Sequence, residues 1–395
     1  MQYSTFAAID IGSYDVILEI FEISKKQGIR SVDKICHRME LGKDTYTLGK
    51  IRPEMEEELC RVLADFVRIM EGYRVDDYRA TASSAISEAS NSLYVLGKIH
   101  QLTGFSVTVL SNSEQRFLSY KALAAMEDNF NKIIEKGTAI LDLDGGSFQI
   151  SLFDKDALVT TQNIRMGSLR IRERLAGIQS ETEHYEEMVE ELIWNEVSSF
   201  KKMYLKDRKI ENIMLIGDVF TDSVYQNIEE KTTKIISREN FNTWYEKIIR
   251  QSPMELAVKL GIPLENASLM YPSAVIYKCL IDMMGAEHIW IPGVHMTRGI
   301  AYEYAEQMKL LKGGHNFEND ILMAAKNIGK RYAVNRPHVQ NLEMTALAMF
   351  DATKKMHGMK ERERLLLQMA VMLHDVGKYI SFNNVADSSY NIIMS

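Results

Sequence analysis

The stretch TAILDLDGGSFQISLFDK, residues 138–155, decides the fold because an earlier stretch repeats its pattern. FAAIDIGSYDVILEIFEI, residues 6–23, has the same order: an apolar run, an aspartate, a turn with glycine and serine, and a second run of alternating polarity. Such a pattern predicts a β-hairpin. Two hairpins about 130 residues apart predict that the chain contains two related halves.

Apolar residues recur at helical or strand spacing after each hairpin. Residues 51–73 show helical periodicity, with Pro53 near the start and Gly72 near the end, as helices prefer. Residues 105–111 alternate as a strand does, and residues 30–48 are expected to supply a further strand. Strand and helix patterns alternate in both halves, which predicts an α/β fold with a largely parallel sheet in each.

The predicted elements divide the chain into three parts. The first domain comprises residues 1–125 and the second residues 126–311, whose closing helix over 297–311 can pack on the first domain. LKGGHNFEND, residues 311–320, is the best linker candidate because glycine and polar residues are concentrated there. Residues 321–395 show helical periodicity only, and the apolar pattern still continues at the end. We therefore expect an all-α region that is incomplete.

The composition excludes several classes of protein. The net charge of −7 gives no global basic field of the kind that drives nucleic-acid binding, so we expect no DNA partner. Cys36, Cys60 and Cys279 are few and far apart, which argues against a disulfide framework and fits a reducing cytoplasm. No run approaches about 20 apolar residues, so the sequence predicts no membrane span. We expect a cytoplasmic protein.

The two hairpin turns combine residue types that suit a phosphate ligand. Glycine lets backbone N–H groups approach an anion closely, and such donors cradle phosphate oxygens. A neighbouring aspartate can hold a magnesium ion directly or through water. One such turn on its own is more often only a tight turn. Two turns on facing domains would instead grip a phosphate chain in the cleft between them.

Five stretches, in order and spacing, resemble the Ppx/GppA phosphatases: AAIDIGSYDV, ATASSAISEASN, LSNSEQRFLSY, AILDLDGGSFQISLF and MGSLRIRERL. The resemblance implies an α/β protein with two actin-like (ribonuclease H-like) domains flanking a cleft, plus an all-α C-terminal region. It also implies a Mg²⁺-dependent hydrolase that releases terminal phosphate from polyphosphate or the guanosine polyphosphate pppGpp. A homodimer is the oligomeric state to expect from this resemblance.

The resemblance assigns roles residue by residue. On the metal side it implies Mg²⁺ bound by Asp10 and Asp142. Asp144 has no counterpart in the family's turn, but it becomes a further candidate ligand if a cation binds there. Water for in-line attack would be positioned by Asp142 together with Gln115 or Glu114. Phosphate would be bound by Gly12, Ser13, Gly145, Gly146, Ser147 and Arg170.

Six positions depart from the family's motifs: Tyr14, Ser87, Gln115, Asp144, Gln149 and Asp218. Gln115 stands where the family has its general base, and an amide cannot accept a proton from water, although it can orient that water as the switch glutamine of Ras-like GTPases does. Asp144 places a negative charge where an anion should approach. A second interpretation therefore stays open: a catalytically degenerate member that binds a phosphorylated ligand or a partner protein without turnover.

The helical tail resembles an HD-type domain. His338 and the pair His374-Asp375 match the metal ligands of such domains, which hold divalent metals that activate water. The alternative is that His374 is a hydrogen-bonded structural histidine beside a turn.

Overall fold

The computed structural model describes residues 3–126, 130–155, 157–176, 185–227, 234–311 and 315–394. The first domain is a five-stranded mixed sheet in the order β3-β2-β1-β4-β5. Its strands are β1 (Ser4–Ile11), β2 (Asp15–Ser24), β3 (Gly28–Arg38), β4 (Asp77–Ala82) and β5 (Val107–Val109). Its helices are α1 (Leu41–Leu48), α2 (Pro53–Gly72), α3 (Ser84–Ser87), α4 (Ser92–Thr103) and α5 (Asn112–Met126).

The second domain repeats this topology with one extra edge strand, in the order β10-β11-β9-β6-β7-β8. Its strands are β6 (Thr138–Leu143), β7 (Phe148–Asp154), β8 (Ala157–Ile164), β9 (Asn212–Ile216), β10 (Ile235–Ser237) and β11 (His288–Trp290). Its helices are α6 (Phe130–Ile134), α7 (Ser168–Leu175), α8 (Tyr185–Phe200, continued by a π-helix over Lys201–Leu205), α9 (Val219–Asn227), α10 (Arg238–Ile249), α11 (Pro253–Leu260), α12 (Leu264–Met284) and α13 (Met296–Gln307).

Both predicted hairpins are present, and they occupy equivalent places. β1 pairs antiparallel with β2 and parallel with β4, while β6 pairs antiparallel with β7 and parallel with β9. Asp10 lies one residue before the end of β1, and Asp142 lies one residue before the end of β6. Because the carboxyl ends of the parallel strands meet at one edge of each sheet, these turns lie where open α/β sheets bind ligands.

Helices α5 and α13 cross between the two sheets. Tyr304 of α13 stacks on Phe6 of β1 with ring centroids 4.1 Å apart, so the closing helix packs on the first sheet. Tyr120 of α5 packs edge-on against Phe153 of β7, in the second sheet. A Cβ at Gly299 would overlap the carbonyl oxygen of Leu118, so glycine is what lets the two helices approach this closely.

The C-terminal region contains helices without strands in its described residues. They are α14 (Phe317–Arg331), α15 (Arg336–Ala352), α16 (Lys354–His357), α17 (Glu361–Leu373), a 3-10 turn (Val376–Tyr379) and α18 (Val385–Met394). The Asn327 side chain donates to the carbonyl oxygens of Leu158 and Val159, which attaches α14 to β8. No helix in the described part of the chain is long and apolar enough to cross a membrane.

The architecture of two α/β domains and an all-α C-terminal region is confirmed, with one correction. The strand expected over residues 30–48 ends at Arg38, and residues 41–48 form α1. Gly49 ends this helix with φ of 71°, a left-handed conformation that glycine adopts readily. Part of the linker candidate, residues 312–314, and the final residue, Ser395, lie outside the described residues.

Candidate active-site cleft

Both hairpin turns line one cavity of about 450 Å³ between the domains. The turn between β9 and α9, one face of β3, parts of α5 and α12, and the start of α13 also line it. Six carboxylates point to this space: Asp10, Asp15, Asp142, Asp144, Asp218 and Asp222. The volume lies in the range of small-molecule sites, about 300–1,000 Å³.

Burial disfavours the ionised form of these carboxyl groups. Burial, reinforced by neighbouring aspartates, raises the pKa of Asp142 to about 6 and that of Asp10 well above its ordinary value. The pKa values of Asp15 and Asp218 also rise to about 6, mainly through burial. Asp10 Oδ1 and Asp218 Oδ2 are buried and have no hydrogen-bond partner among the described residues. Oxygen atoms in this state fit a hard divalent cation.

The cavity offers Mg²⁺ few protein ligands. Within the described ranges, the cleft brings no three acidic groups within 4.8 Å of one another. Mg²⁺ usually keeps several water ligands and takes one or two carboxylates, so Asp10 and Asp142 satisfy what it requires of a protein.

The side chain of Asp144 joins the two turns. Its Oδ1 accepts a hydrogen bond of 3.1 Å from Ser13 Oγ in the first domain and one of 2.6 Å from the N–H of Gly145. Burial raises the pKa of Asp144, although both hydrogen bonds oppose that shift. Two of the predicted phosphate donors are therefore engaged by a carboxylate of the chain.

The predicted glycines lie at a close approach between the domains. A Cβ at Gly146 would overlap the hydroxyl of Tyr46, and a Cβ at Gly145 would lie 3.1 Å from Ser13 Oγ. The N–H of Gly12 donates to the carbonyl oxygen of Asp15 at 2.9 Å, which closes the first turn. Ser147 lines the cavity itself.

Arg170 faces the first domain rather than the cavity. Its guanidinium donates to both Glu88 oxygens at 3.2 and 3.0 Å, lies 3.8 Å above the Tyr46 ring, and donates through Nε to the carbonyl oxygen of Gly146 at 2.9 Å. Arg165 forms a second ion pair with Glu88 at 2.8 Å. A phosphate contact by Arg170 requires the Glu88 pair to open.

Gln115 and Glu114 lie on different faces of α5. Gln115 lines the cavity, and its Nε2 donates to the carbonyl oxygen of Leu110 at 3.3 Å. Glu114 accepts from the N–H and the hydroxyl of Ser111, both at 2.8 Å, which caps the start of the helix. Glu114 does not line the cavity, so Gln115 is the better placed of the two to orient water.

The departures at residues 14 and 218 have structural roles. Tyr14 donates from its hydroxyl to Asn266 Oδ1 at 2.7 Å, and its ring is buried with Leu169 and Leu269 of the second domain. Asp218 accepts from the N–H of Thr221 at 3.0 Å, which caps α9. Tyr14 therefore fastens the first turn to the second domain.

Sequence reasoning missed four charged residues of this cavity. Lys34 and Arg38 are exposed, line it from β3, and form no ion pair in the described part of the chain. Their alternation in the segment KICHR is the signal that identifies one strand face. Asp15 could have been recognised as an acidic residue in a turn where the family has small polar residues. The sequence around Asp222 contains no such signal.

The three predicted ligands of the tail come together. One ligand atom each from His338, His374 and Asp375 lies within 4.8 Å of the others. His374 Nδ1 is 2.8 Å from the carbonyl oxygen of Val371, which leaves Nε2 directed towards Asp375 at 3.2 Å. Lys378 also pairs with Asp375, at 2.7 Å. The arrangement offers two imidazoles and a carboxylate to a metal ion.

Comparison with known proteins places the chain in a family. The pattern of the Ppx/GppA phosphatase family matches residues 20–308, and that of Ppx/GppA phosphatase, domain III, matches residues 322–395. A bifunctional 3-dehydroquinate synthase/phosphatase of Fusobacterium nucleatum is 21% identical over 310 residues, which are 72% of this chain and 44% of that enzyme. The chain thus spans less than half the length of that relative.

Two further relatives match along most of the chain. A guanosine-5'-triphosphate,3'-diphosphate pyrophosphatase of Vibrio atlanticus is 19% identical over 397 residues, 99% of this chain and 76% of that protein. The crystal structure of an exopolyphosphatase from Cytophaga hutchinsonii superposes with a TM-score of 0.68 at 17% identity, covering 77% of this chain and 98% of the other. The predicted pair of actin-like domains is confirmed by this fold.

Proposed function

Because the chain belongs to the Ppx/GppA phosphatase family, we propose that it hydrolyses terminal phosphoanhydride bonds of inorganic polyphosphate or a guanosine polyphosphate. The observation that carries the proposal is the shared cavity, which Asp10 and Asp142 enter from equivalent strand ends beside Gln115. Phosphoryl transfer depends mainly on positioning and on electrostatic stabilisation. In this proposal the two turns position the phosphate chain, and the carboxylates hold the metal ion that stabilises its charge.

The residues at the two turns and Gln115 divide the reaction between them. Asp10 and Asp142 hold Mg²⁺, and Asp144 adjoins them at the second turn. When bound, Mg²⁺ neutralises charge on the phosphoryl oxygens. Gln115 accepts a hydrogen bond from the attacking water through its amide oxygen and orients it, without removing its proton. Gly12 and Ser13 border the terminal phosphate on the opposite side.

Lys34 and Arg38 attract the rest of the substrate. They are four residues apart on β3, so their Cα atoms are about 13 Å apart at about 3.3 Å per residue. That span suits several successive phosphate groups. The inner cavity is acidic, whereas these two exposed side chains are positively charged. Their charge attracts the polyanion and guides it to the cleft from the β3 side.

The test is phosphate release from long-chain polyphosphate and from pppGpp, with and without Mg²⁺. We expect release that requires Mg²⁺ and falls at least about 100-fold in Asp142→Asn, because that variant loses a metal ligand. Asp65→Asn is the matched control, since Asp65 is an exposed partner of Arg68 on α2. No release by the parent from either substrate contradicts the proposal.

A second candidate is a degenerate member that binds a phosphorylated ligand or partner without turnover. The ion pair between Arg170 and Glu88 favours it, as does the amide at position 115, because both remove groups that would stabilise or promote hydrolysis. Thermal shifts with polyphosphate, pppGpp, ppGpp and ATP distinguish the two candidates. A shift without phosphate release supports binding alone, and no shift with any of the four contradicts it.

For the tail we propose a divalent transition-metal site at His338, His374 and Asp375, supported by their convergence within 4.8 Å. Two imidazoles suit Zn²⁺ better than Mg²⁺. Metal analysis after dialysis against Zn²⁺ should give about one ion per chain fewer in His374→Ala than in the parent. His357→Ala is the control, because His357 lies outside the cluster. Equal metal content in the parent and His374→Ala contradicts the site.

A further inference from the structure

Asp144 sits between the two turns that would hold a terminal phosphate. Its Oδ1 accepts from Ser13 Oγ at 3.1 Å and from the N–H of Gly145 at 2.6 Å. One donor belongs to each domain. A carboxylate resembles a phosphate in presenting charged acceptor oxygens to such donors. We infer that the Asp144 carboxylate occupies the phosphate position of the cleft and competes with the substrate for these donors.

The space between the turns supports this inference. Ser13 is fully buried, and a Cβ placed on Gly145 would lie 3.1 Å from its hydroxyl oxygen. The two turns are therefore in contact at the point where Asp144 bridges them. A phosphate group, which has a central atom and four oxygens, enters between Ser13 and Gly145 only when the Asp144 carboxylate leaves.

Other contacts between the domains hold the turns in this arrangement. Tyr14 donates to Asn266 at 2.7 Å, and Arg172 pairs with Glu40 at 2.8 Å. The bridge made by Asp144 is thus one part of a closed interface. Displacement of one side chain, that of Asp144, frees both donors.

A role for Asp144 as a metal ligand makes a different prediction. A metal ligand is needed for the Mg²⁺-dependent binding of phosphate, so its removal weakens binding. A carboxylate that occupies the phosphate position blocks binding, so its removal strengthens binding. The sign of the change in affinity therefore separates the two roles.

The inference rests on the proposed function only for the class of ligand, a phosphoanhydride. The probe is imidodiphosphate, whose bridging nitrogen resists hydrolysis, titrated calorimetrically into the full chain with Mg²⁺ present. Asp144→Ala frees both donors and keeps the Cβ. Asp144→Asn removes the charge but still accepts from Ser13 and Gly145. Asp222→Asn removes a charge from the same cavity and frees neither donor.

We expect Asp144→Ala to bind imidodiphosphate at least tenfold more tightly than the parent and at least threefold more tightly than Asp144→Asn. Equal affinity of the Ala and Asn variants at position 144 overturns the inference, because charge alone then explains the effect. Weaker binding by Asp144→Ala also overturns it and assigns Asp144 to the metal.

Phosphate release is measured in parallel so that the two proposals fail separately. Tighter binding by Asp144→Ala without release by any variant sustains the inference and counts against hydrolysis. Release by the parent with no gain in affinity sustains hydrolysis and overturns the inference. A circular dichroism melt of each variant identifies any that fails to fold. Ser13→Ala, which removes one donor and keeps the charge of Asp144, then replaces that variant. Its affinity for imidodiphosphate should fall below that of the parent, and equal affinity overturns the inference.

Discussion

Replacing Gln115 by glutamate restores a proton acceptor to the cleft, and it should accelerate phosphate release. General-base assistance contributes about 10²–10⁴-fold to rate. We expect the lower end of this range, because the side chain at position 115 has to change its orientation to reach the water. Gln115 lines the cavity but donates to the Leu110 carbonyl oxygen, and a carboxylate, which cannot donate, turns away from that oxygen towards the cavity. We therefore expect about 100-fold faster release in Gln115→Glu at pH 8.

The gain should depend on pH with a definite sign. Burial and neighbouring aspartates raise the pKa of Asp142 in the same cavity to about 6. Position 115 is half-buried in that cavity, so we expect the pKa of a carboxyl there to be raised as well. Only the ionised form accepts a proton, so the advantage grows as pH rises from 5.5 to 8 and disappears at the acidic end.

The assay is phosphate release from polyphosphate with Mg²⁺ between pH 5.5 and 8.5. Gln115→Met is the matched control, since it keeps the length of the side chain and removes its polar atoms. It should be slower than the parent if the amide orients water. Release by Gln115→Glu that equals that of the parent at pH 8 would refute the assignment of position 115 to the attacking water.

Three further predictions concern stability. Three carboxyls of the cavity, those of Asp15, Asp142 and Asp218, have a pKa of about 6 in the folded chain, above the ordinary value of 3.8. The folded chain therefore binds these protons more tightly than the unfolded chain does. The free energy of unfolding should fall by about 3 kcal/mol per group as the pH rises from about 4 to about 6. Urea unfolding across this range should show a smaller fall in Asp218→Asn, and an unchanged slope contradicts the buried state of that carboxyl. Gly299→Ala should destabilise the chain by about 1–3 kcal/mol because its Cβ overlaps the Leu118 carbonyl. The control, Gly97→Ala, lies in open space on α4 and should stabilise the chain by up to about 1 kcal/mol. Equal effects of the two substitutions in urea unfolding count against the close crossing of α5 and α13. Tyr14→Phe should lower the free energy of unfolding by about 1 kcal/mol through loss of its bond to Asn266, and no change in the urea midpoint would argue against that contact.

The sequence was most informative where function and local structure share a signal. The hairpins were predictable because an apolar run before a glycine turn and a run of alternating polarity after it specify strands, and Asp10 and Asp142 were identified by their place in those hairpins. The short helix α1 was missed because residues 30–48 alternate apolar and polar along much of their length. The chain turns where the N–H of Leu41 donates to the carbonyl oxygen of Met39 at 2.6 Å and the N–H of Gly42 donates to that of Ser13 at 2.7 Å, and neither bond is marked in the local sequence.

Long-range pairs were beyond prediction for a physical reason. Glu88 and Arg170 are 82 residues apart, and nothing in either segment specifies that one neutralises the other. The same holds for Tyr14 and Asn266, 252 residues apart. A motif fixes which residue types are available near a turn, whereas the closure of two domains decides which of them remain available to a ligand.

The aspartates in the three turns point to a common consequence. Each forms a bond within the protein: Asp15 accepts from the Cys36 thiol at 3.4 Å, Asp144 from Ser13 and Gly145, and Asp218 from Thr221. Since buried N–H groups need acceptors, a turn that relies on a ligand for this purpose is complete only when the ligand is bound. The Asp144 and Asp218 carboxylates supply acceptors to backbone N–H groups from within the chain. The closed cleft can therefore be stable before any phosphate enters, and the affinity for phosphate is reduced by the work of displacing Asp144.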